Sequence, residues 1–340
     1  MLNSFYDNCS FVSKLSIKKI INYKKLILSF YLSRIFKKSI HWGYPASISI
    51  EPTTSCNLEC PQCLSGTKGF TRKQGNIDYE LYKKIINELK SHLIYHSLYF
   101  QGEPLLHPHF FDLVKYTNSN NIYTATSTNG HFFSDSNCEK IINSGLNRII
   151  ISIDGTTQET YEKYRIKGKL NKVIEGTKKL VLLKNKIKSK TPFVIVQFLV
   201  FKHNQHQITE AKQLAKKIGV NKIIFKTAQI YDCKKSNKLI PTNNKYSRYF
   251  IDDKGNYVIK SKLKKNCWRM WHSAVVTWDG IIVPCCFDKD AKYSFGNVSI
   301  SYFYNIWKNN KYDIFRNKIF KSRNKIDICT NCTEGIRYYK

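Results

Sequence analysis

Residues 46–63 read ASISIEPTTSCNLECPQC. A short strand-like run carrying Ile48 and Ile50 leads directly into three cysteines, Cys56, Cys60 and Cys63, spaced Cys-x3-Cys-x2-Cys. Iron–sulfur cubes are normally closed by four thiolates. Three thiolates on one short loop leave one iron open, and an open coordination position is where metal sites do chemistry. Structural zinc asks for a different pattern, two Cys-x2-4-Cys pairs separated by a longer loop.

Outward from this stretch the chain repeats one theme. Runs at 47–51, 97–101, 122–126, 148–153, 193–200 and 221–227 are short and rich in Ile, Val, Phe or Tyr, as buried parallel strands are. Amphipathic stretches lie between them. In 206–218, Ile208, Ala211, Leu214, Ala215 and Ile218 share one helical face and Gly219 marks the stop; 78–90 has the same character, with Asp78 as N-cap. Six β–α units in succession predict an α/β fold with a parallel sheet. Six fall short of an eightfold closure, so the expected form is an open, partial (β/α)6 TIM-like barrel. In such folds chemistry sits where strands end. The groups at those ends are the cysteine loop, then Gln101-Gly102-Glu103-Pro104, then Ser127, Thr128, Asn129 and Gly130, then Ser152, Asp154 and Gly155. Each alone reads as a turn. Their serial placement, one after each strand, points to a ligand site.

A second cysteine set closes the chain: Cys267, Cys285, and the pair Cys329 and Cys332. Val275 and Val276, then Asp279-Gly280, then Ile281 to Val283 predict a hairpin with a two-residue turn that draws Cys267 toward Cys285. Four such ligands complete either a closed iron–sulfur cluster or a zinc knuckle. Cys9, Cys138, Cys233 and Cys286 are left over and read as small buried hydrophobes.

The triad and its spacing resemble the radical S-adenosylmethionine (SAM) enzymes. The resemblance implies a [4Fe–4S] cluster on Cys56, Cys60 and Cys63 whose open iron takes SAM, and a 5′-deoxyadenosyl radical as the reactive species. Gln101–Pro104 resembles that family's Gly-Gly-Glu-Pro motif, with Gln101 in place of the first glycine. It implies that Gly102 and Glu103 meet the SAM ammonium, that Ser152 and Arg165 hold its carboxylate, and that Ser127, Asn129 and Asp154 line the ribose or methionine. Gln62 stands where many members carry an aromatic residue. The C-terminal cysteines resemble the SPASM/twitch extension, which implies a second, auxiliary [4Fe–4S] cluster on Cys267, Cys285, Cys329 and Cys332. In sulfatase-maturing relatives an aspartate follows the cysteine that matches Cys285; here it is Cys286, with Asp288 and Asp290 just beyond. Cys286, Asp288, Asp290, Lys226 and Tyr231 are the candidate catalytic residues, and Gln229 is a candidate lining residue.

The chain has 340 residues, 42% of them hydrophobic, and a net charge of +32. That is enough for one large domain and a smaller one. The expected division is a basic N-terminal helical segment at 1–45, a partial barrel at 46–230, a linker at 231–266 and a cysteine-rich hairpin/helix domain at 267–340. Lysines are spread throughout and are densest at 161–190, with no nucleic-acid motif beside them, so a solvated basic surface is expected and a nucleic-acid partner is not. The apolar patch around 26–32 is too short to span a bilayer. It reads as a helix covering one end of the domain, with peripheral membrane contact as the alternative. Eleven cysteines without a secretory signal argue for a reducing, cytoplasmic compartment.

The expected activity is therefore a radical SAM oxidoreductase acting on a C–H bond, with the auxiliary cluster as electron acceptor and a flavodoxin- or ferredoxin-type reductant. The substrate, a small molecule or a peptide, is not legible. Maturation of a peptide or sulfatase is the nearest alternative. A basic RNA-binding or RNA-modifying metalloprotein is the alternative from another class.

Overall fold

The computed structural model describes residues 2–231 and 238–333; Cys233 falls outside them. Six strands, β1 (Ser47–Ile50), β2 (Tyr95–Ser97), β3 (Tyr123–Thr128), β4 (Arg148–Ser152), β5 (Phe193–Val200) and β6 (Lys222–Thr227), pair side by side in sequence order, all parallel. Helices fill the connections at Tyr79–Leu89, Phe110–Ser119, Asp135–Asn143, Leu170–Lys186 and Ile208–Ile218. Asp78 caps the first of these through Leu81 N–H at 2.9 Å, and Gly219 ends the last with φ +83°. β6 is an edge, so the barrel is open.

The second strand lies earlier than the apolar run at 97–101 predicts. Its residues are Tyr95, His96 and Ser97, in register with Tyr123, Thr124 and Ala125. His96 is wholly buried, and its Nδ1 lies 3.4 Å from the Tyr82 hydroxyl. Leu98 and Phe100 are buried beyond the ladder, because the chain leaves the sheet toward the Gly102 turn.

Past β6 the described part of 231–266 forms an antiparallel pair, β7 (Tyr249–Ile251) with β8 (Tyr257–Ile259). The C-terminal hairpin consists of β9 (Ser273–Val276) and β10 (Ile281–Val283), followed by β11 (Gly296–Asn297). Its connection is longer than the predicted two-residue turn. Gly280 N–H donates to Thr277 O at 3.0 Å, Thr277 N–H donates to Ile281 O at 2.9 Å, and Gly280 takes φ +87°. This is a turn closed by a left-handed glycine, the common three-residue hairpin.

β9 lies parallel against β1, so the hairpin extends the barrel sheet to nine strands in the order β11-β10-β9-β1-β2-β3-β4-β5-β6. One hydrophobic core accordingly joins Ile48, Ile50 and Tyr82 with Trp271, Phe295 and Trp307. A buried ion pair ties the same seam at the site's edge. Arg72 donates from Nη1 and Nη2 to the two oxygens of Glu51 at 2.8 and 2.6 Å, and from Nε to Lys289 O at 3.2 Å. Glu51 also accepts from Trp278 N–H at 3.2 Å. This clamp holds the end of β1, the start of the cysteine loop and the C-terminal hairpin in one arrangement.

Candidate active site

At the carboxyl ends of the strands lies a cavity of about 440 Å³. Cys56, Cys60 and Cys63 line it, together with Gly102, Glu103, Ser127, Asn129, Ser152 and Arg165. Each thiol has a polar neighbour. Cys56 Sγ accepts from Leu58 N–H at 3.5 Å and from Asn129 Nδ2 at 3.9 Å. Cys60 Sγ accepts from Arg165 Nη1 at 3.8 Å, and the Cys63 thiol donates to Gln101 Oε1 at 3.9 Å. Burial pushes the Cys56 thiol up to about 12 and raises Cys60 as well, against the pull of Arg165. Thiolates so placed need a positive partner, and iron is one.

The loop after β2 is fastened to the cysteine loop. Glu103 N–H donates to Ser55 O at 2.7 Å, and Gly102 N–H donates to Ser65 Oγ at 2.9 Å. Glu103 is buried. Its Oε1 accepts from Thr128 Oγ1 at 2.6 Å and Leu105 N–H at 3.2 Å, and its Oε2 accepts from Asn129 N–H at 2.7 Å. Desolvation outweighs these bonds and lifts its carboxyl from 4.5 to about 7. A carboxyl held above its unfolded value weakens the fold once it must ionise. The ligand-free chain is therefore expected to lose stability as pH rises from about 4.5 through about 7. Urea midpoints across that range should show this slope, and Glu103→Gln should flatten it.

Arg165 is largely shielded and engaged twice. Its Nε donates to Asp154 Oδ2 at 2.6 Å, and Asp154 Oδ1 accepts from Leu199 N–H at 2.6 Å. Asp154 does not line the cavity, contrary to its expected place by the ribose or methionine. Both its oxygens are spent on orienting Arg165 and capping the end of β5. The guanidinium keeps further donors toward the cavity.

The candidate catalytic residues separate. Lys226, Gln229 and Cys286 line the cavity, joined by Arg248 and Lys289. Tyr231 does not; its backbone N–H donates to Gln62 Oε1 at 2.9 Å, and its ring is exposed under Lys289 Nζ at 4.6 Å. Asp288 and Asp290 do not line the cavity either. Asp288 is buried and accepts from the N–H groups of Lys292 and Tyr293, both at 2.8 Å. Asp290 accepts from Thr71 N–H at 2.9 Å and Thr71 Oγ1 at 2.5 Å. Both are loop anchors, a use that a bare Asp-x-Asp does not disclose. Cys286 and Cys9 are exposed rather than buried, while Cys138 is buried as expected. Sequence reasoning missed Arg248 and Lys289, since nothing marks two cations in so basic a chain.

The four C-terminal cysteines converge. Cys267, Cys285, Cys329 and Cys332 line a second pocket with Met270, Phe315 and Ile319. Arg323 reaches it, donating from Nη2 to Cys332 Sγ at 3.5 Å and from Nη1 to Asn266 O at 2.5 Å. One peptide bond separates the two pockets, for Cys285 faces this one and Cys286 the larger. Among the described residues no three His, Cys, Asp or Glu side chains close on a single ion. A cube instead takes each thiolate on a separate iron. Donor type and buried N–H···S contacts thus suit a thiolate-held cluster at both places.

An open parallel barrel with thiols at its rim, beside a four-cysteine pocket, defines an iron–sulfur enzyme architecture. Residues 50–215 match the model of the Radical SAM superfamily, and residues 267–333 match that of the SPASM iron-sulfur cluster-binding domain. The chain belongs to the radical SAM superfamily and carries a C-terminal SPASM domain. Its cofactors are accordingly SAM, the [4Fe–4S] cluster that takes it, and auxiliary [4Fe–4S] iron–sulfur. It is 26% identical over 313 residues to the tungsten-containing aldehyde ferredoxin oxidoreductase cofactor-modifying protein of Pyrococcus furiosus, covering 84% of this chain and 86% of that one. Among solved structures it is similar to BtrN in complex with AdoMet and 2-DOIA, with TM-score 0.52, 20% identity and coverage of 86% and 94%. It is also similar to anSMEcpe with bound AdoMet, with TM-score 0.59, 19% identity and coverage of 84% and 89%.

Proposed function

We propose that this chain is a radical SAM oxidoreductase that removes hydrogen from a C–H bond of an anionic small molecule. One observation carries the reading. A single cavity brings Cys56, Cys60, Cys63, Glu103, Ser152 and Arg165 together with Lys226, Lys289 and Cys286. In this reading Cys56, Cys60 and Cys63 hold the cluster that cleaves SAM to a 5′-deoxyadenosyl radical, and Cys267, Cys285, Cys329 and Cys332 hold one auxiliary cluster as electron sink. Glu103 accepts from the SAM ammonium, a cation that would relieve its raised pKa. Ser152 and Arg165 meet the SAM carboxylate, and Asp154 is the residue that positions Arg165. Ser127 and Asn129 complete the polar wall.

The same cavity holds two ammonium groups, Lys226 and Lys289, with no carboxylate partner among the described residues. Glu103 is the one carboxylate lining the cavity among those residues. Desolvation within the cavity and neighbouring Arg248 lower both lysines. Such a wall favours a substrate bearing phosphoryl or carboxylate groups. Cys286, in the same cavity, is the group left to take the proton when the substrate radical is oxidised, while Lys226 as an ammonium holds the anion.

Anaerobically reconstituted full chain, reduced with dithionite in the presence of SAM, should release 5′-deoxyadenosine, and anionic candidate substrates should raise that release. Lys226→Gln/Lys289→Gln should keep the basal release while raising KM for the stimulating anion by ~tenfold or more, the loss of at least one charge-assisted contact. Absence of 5′-deoxyadenosine defeats the radical reading. Stimulation by neutral candidates alone defeats the anionic one.

A further inference from the structure

The chain begins with two described helices, α1 (Leu2–Val12) and α2 (Ile17–Phe36). α2 is turned inside out. Its inward face buries Lys19, Asn22, Ser29 and Ser33 beside Leu26 and Phe30. These polar groups are satisfied by backbone. Lys19 Nζ donates to Lys14 O at 3.0 Å and Asn121 O at 2.5 Å; Asn22 exchanges two bonds with the Tyr44 backbone; Ser33 Oγ donates to Ile40 O at 2.7 Å. The outward face carries the aliphatic load. Ile17 is 77% exposed, Leu28 54%, Ile35 69% and Phe36 60%, and Phe5 and Val12 of α1 are exposed as well.

This face is continuous and charged. Ile17, Ile21, Lys24, Leu28, Tyr31 and Ile35 follow one another at alternating spacings of four and three, so they form a single stripe along the helix. Beside it runs a groove of about 590 Å³ lined by Ile21, Leu28, Trp42 and Tyr304 with Lys24, Lys25 and Lys308. α2 contains no acidic residue, and Lys37 and Lys38 follow it. The only carboxylate in residues 1–50, Asp7, is buried and bonded to Arg148 and Tyr123. Exposed apolar surface this extensive marks an interaction site. A second copy packed along the stripe would set Lys24 near Lys24 within a wholly basic rim, so like charges oppose it. Among the described residues no helix is long and apolar enough to cross a membrane.

We propose that α1 and α2 dock flat on a bilayer bearing anionic lipid. The apolar stripe enters the acyl boundary, Trp42 and Tyr304 sit at headgroup level, and Lys18, Lys24, Lys25, Arg34, Lys37 and Lys38 meet lipid phosphates. The inference is independent of the substrate reading, since neither helix contributes to the cavity at the strand ends.

The test is flotation of the full-length reconstituted protein with vesicles of phosphatidylcholine alone or mixed with phosphatidylglycerol. Binding should favour the anionic vesicles by ~tenfold or more and weaken with salt. Leu28→Ser/Ile35→Ser should cut binding to anionic vesicles by ~tenfold or more while leaving the thermal melt and 5′-deoxyadenosine release unchanged, because both side chains face outward. No flotation with anionic vesicles overturns the proposal. So does flotation that the double variant leaves intact, which would mark diffuse attraction by a +32 protein. A dimer in sedimentation that the same variant dissolves also overturns it.

Discussion

Gly102→Ala is expected to weaken SAM binding by ~100-fold and to lower stability by ~2–4 kcal/mol, the sum of a left-handed backbone penalty and a backbone clash. Gly102 has φ +73°, and a Cβ built there lies 2.2 Å from Thr53 O and 2.9 Å from Ser55 O. Both obstacles are main-chain atoms of the segment leading into the cysteine loop, so no side chain can swing aside. Ser55 O also accepts from Glu103 N–H, and the N–H of Gly102 itself donates to Ser65 Oγ, so the bonds that fix the loop lie at the clash. Relief of the clash must move Glu103 or the cysteine loop, and it must do so where Thr128 and Asn129 hold the Glu103 carboxylate. Calorimetric SAM binding and urea melts of the variant give the two numbers. Binding within twofold of the parent chain would show that the close approach does not fix the site.

That glycine also shows what the sequence could and could not disclose. A Gly-Glu-Pro after a strand was legible as one of several strand-end groups, because apolar runs of five to eight residues and their polar terminations repeat with a fixed order. β4 and β5 fall at the expected places because Ile149, Ile151, Val194 and Val196 have no other reason to cluster. β2 lies ahead of its expected run at 97–101 because its central residue is a buried histidine whose partner, Tyr82, lies on a helix. The parallel docking of β9 on β1 was also hidden, since it depends on contacts across more than two hundred residues and on the Glu51–Arg72 clamp. Carboxylates deceived in one consistent way. In a linear reading Asp154 looks like a ligand-lining acid and Asp288 and Asp290 look like bases, yet each is committed to backbone N–H groups or a guanidinium. Only three-dimensional acceptor bookkeeping separates such anchors from free bases. The cysteines were easier, because sulfur ligands at short spacings have few other uses; the seven expected as ligands line the two pockets, and Cys286 joins them in the larger.

Cys60→Ala and Cys329→Ala, made separately in the full chain, are expected to fail in different ways. Each should lower iron from about eight to about four per chain, one cube of the two. Cys60 is buried against Arg165 at the cavity wall. Its loss leaves the triad with two thiolates and removes one of Arg165's two partners, so 5′-deoxyadenosine formation should fall to background, a loss of ~10³-fold or more, as for an essential catalytic centre. Cys329 lies in the second pocket, where Arg323 would lose one of its thiolate neighbours. Its removal leaves the triad, Glu103 and Arg165 in place, so SAM cleavage should persist. If the second cube takes the substrate's electron, oxidised product should disappear while 5′-deoxyadenosine continues to form. If Cys329→Ala instead turns over substrate at the parent rate, the electron leaves by another route and the auxiliary site is structural. If it abolishes SAM cleavage while the fold melts normally, the two pockets are coupled through the Cys285–Cys286 peptide. Iron content, 5′-deoxyadenosine and product, measured on one preparation, distinguish these outcomes because each quantity reports a different part of the pair.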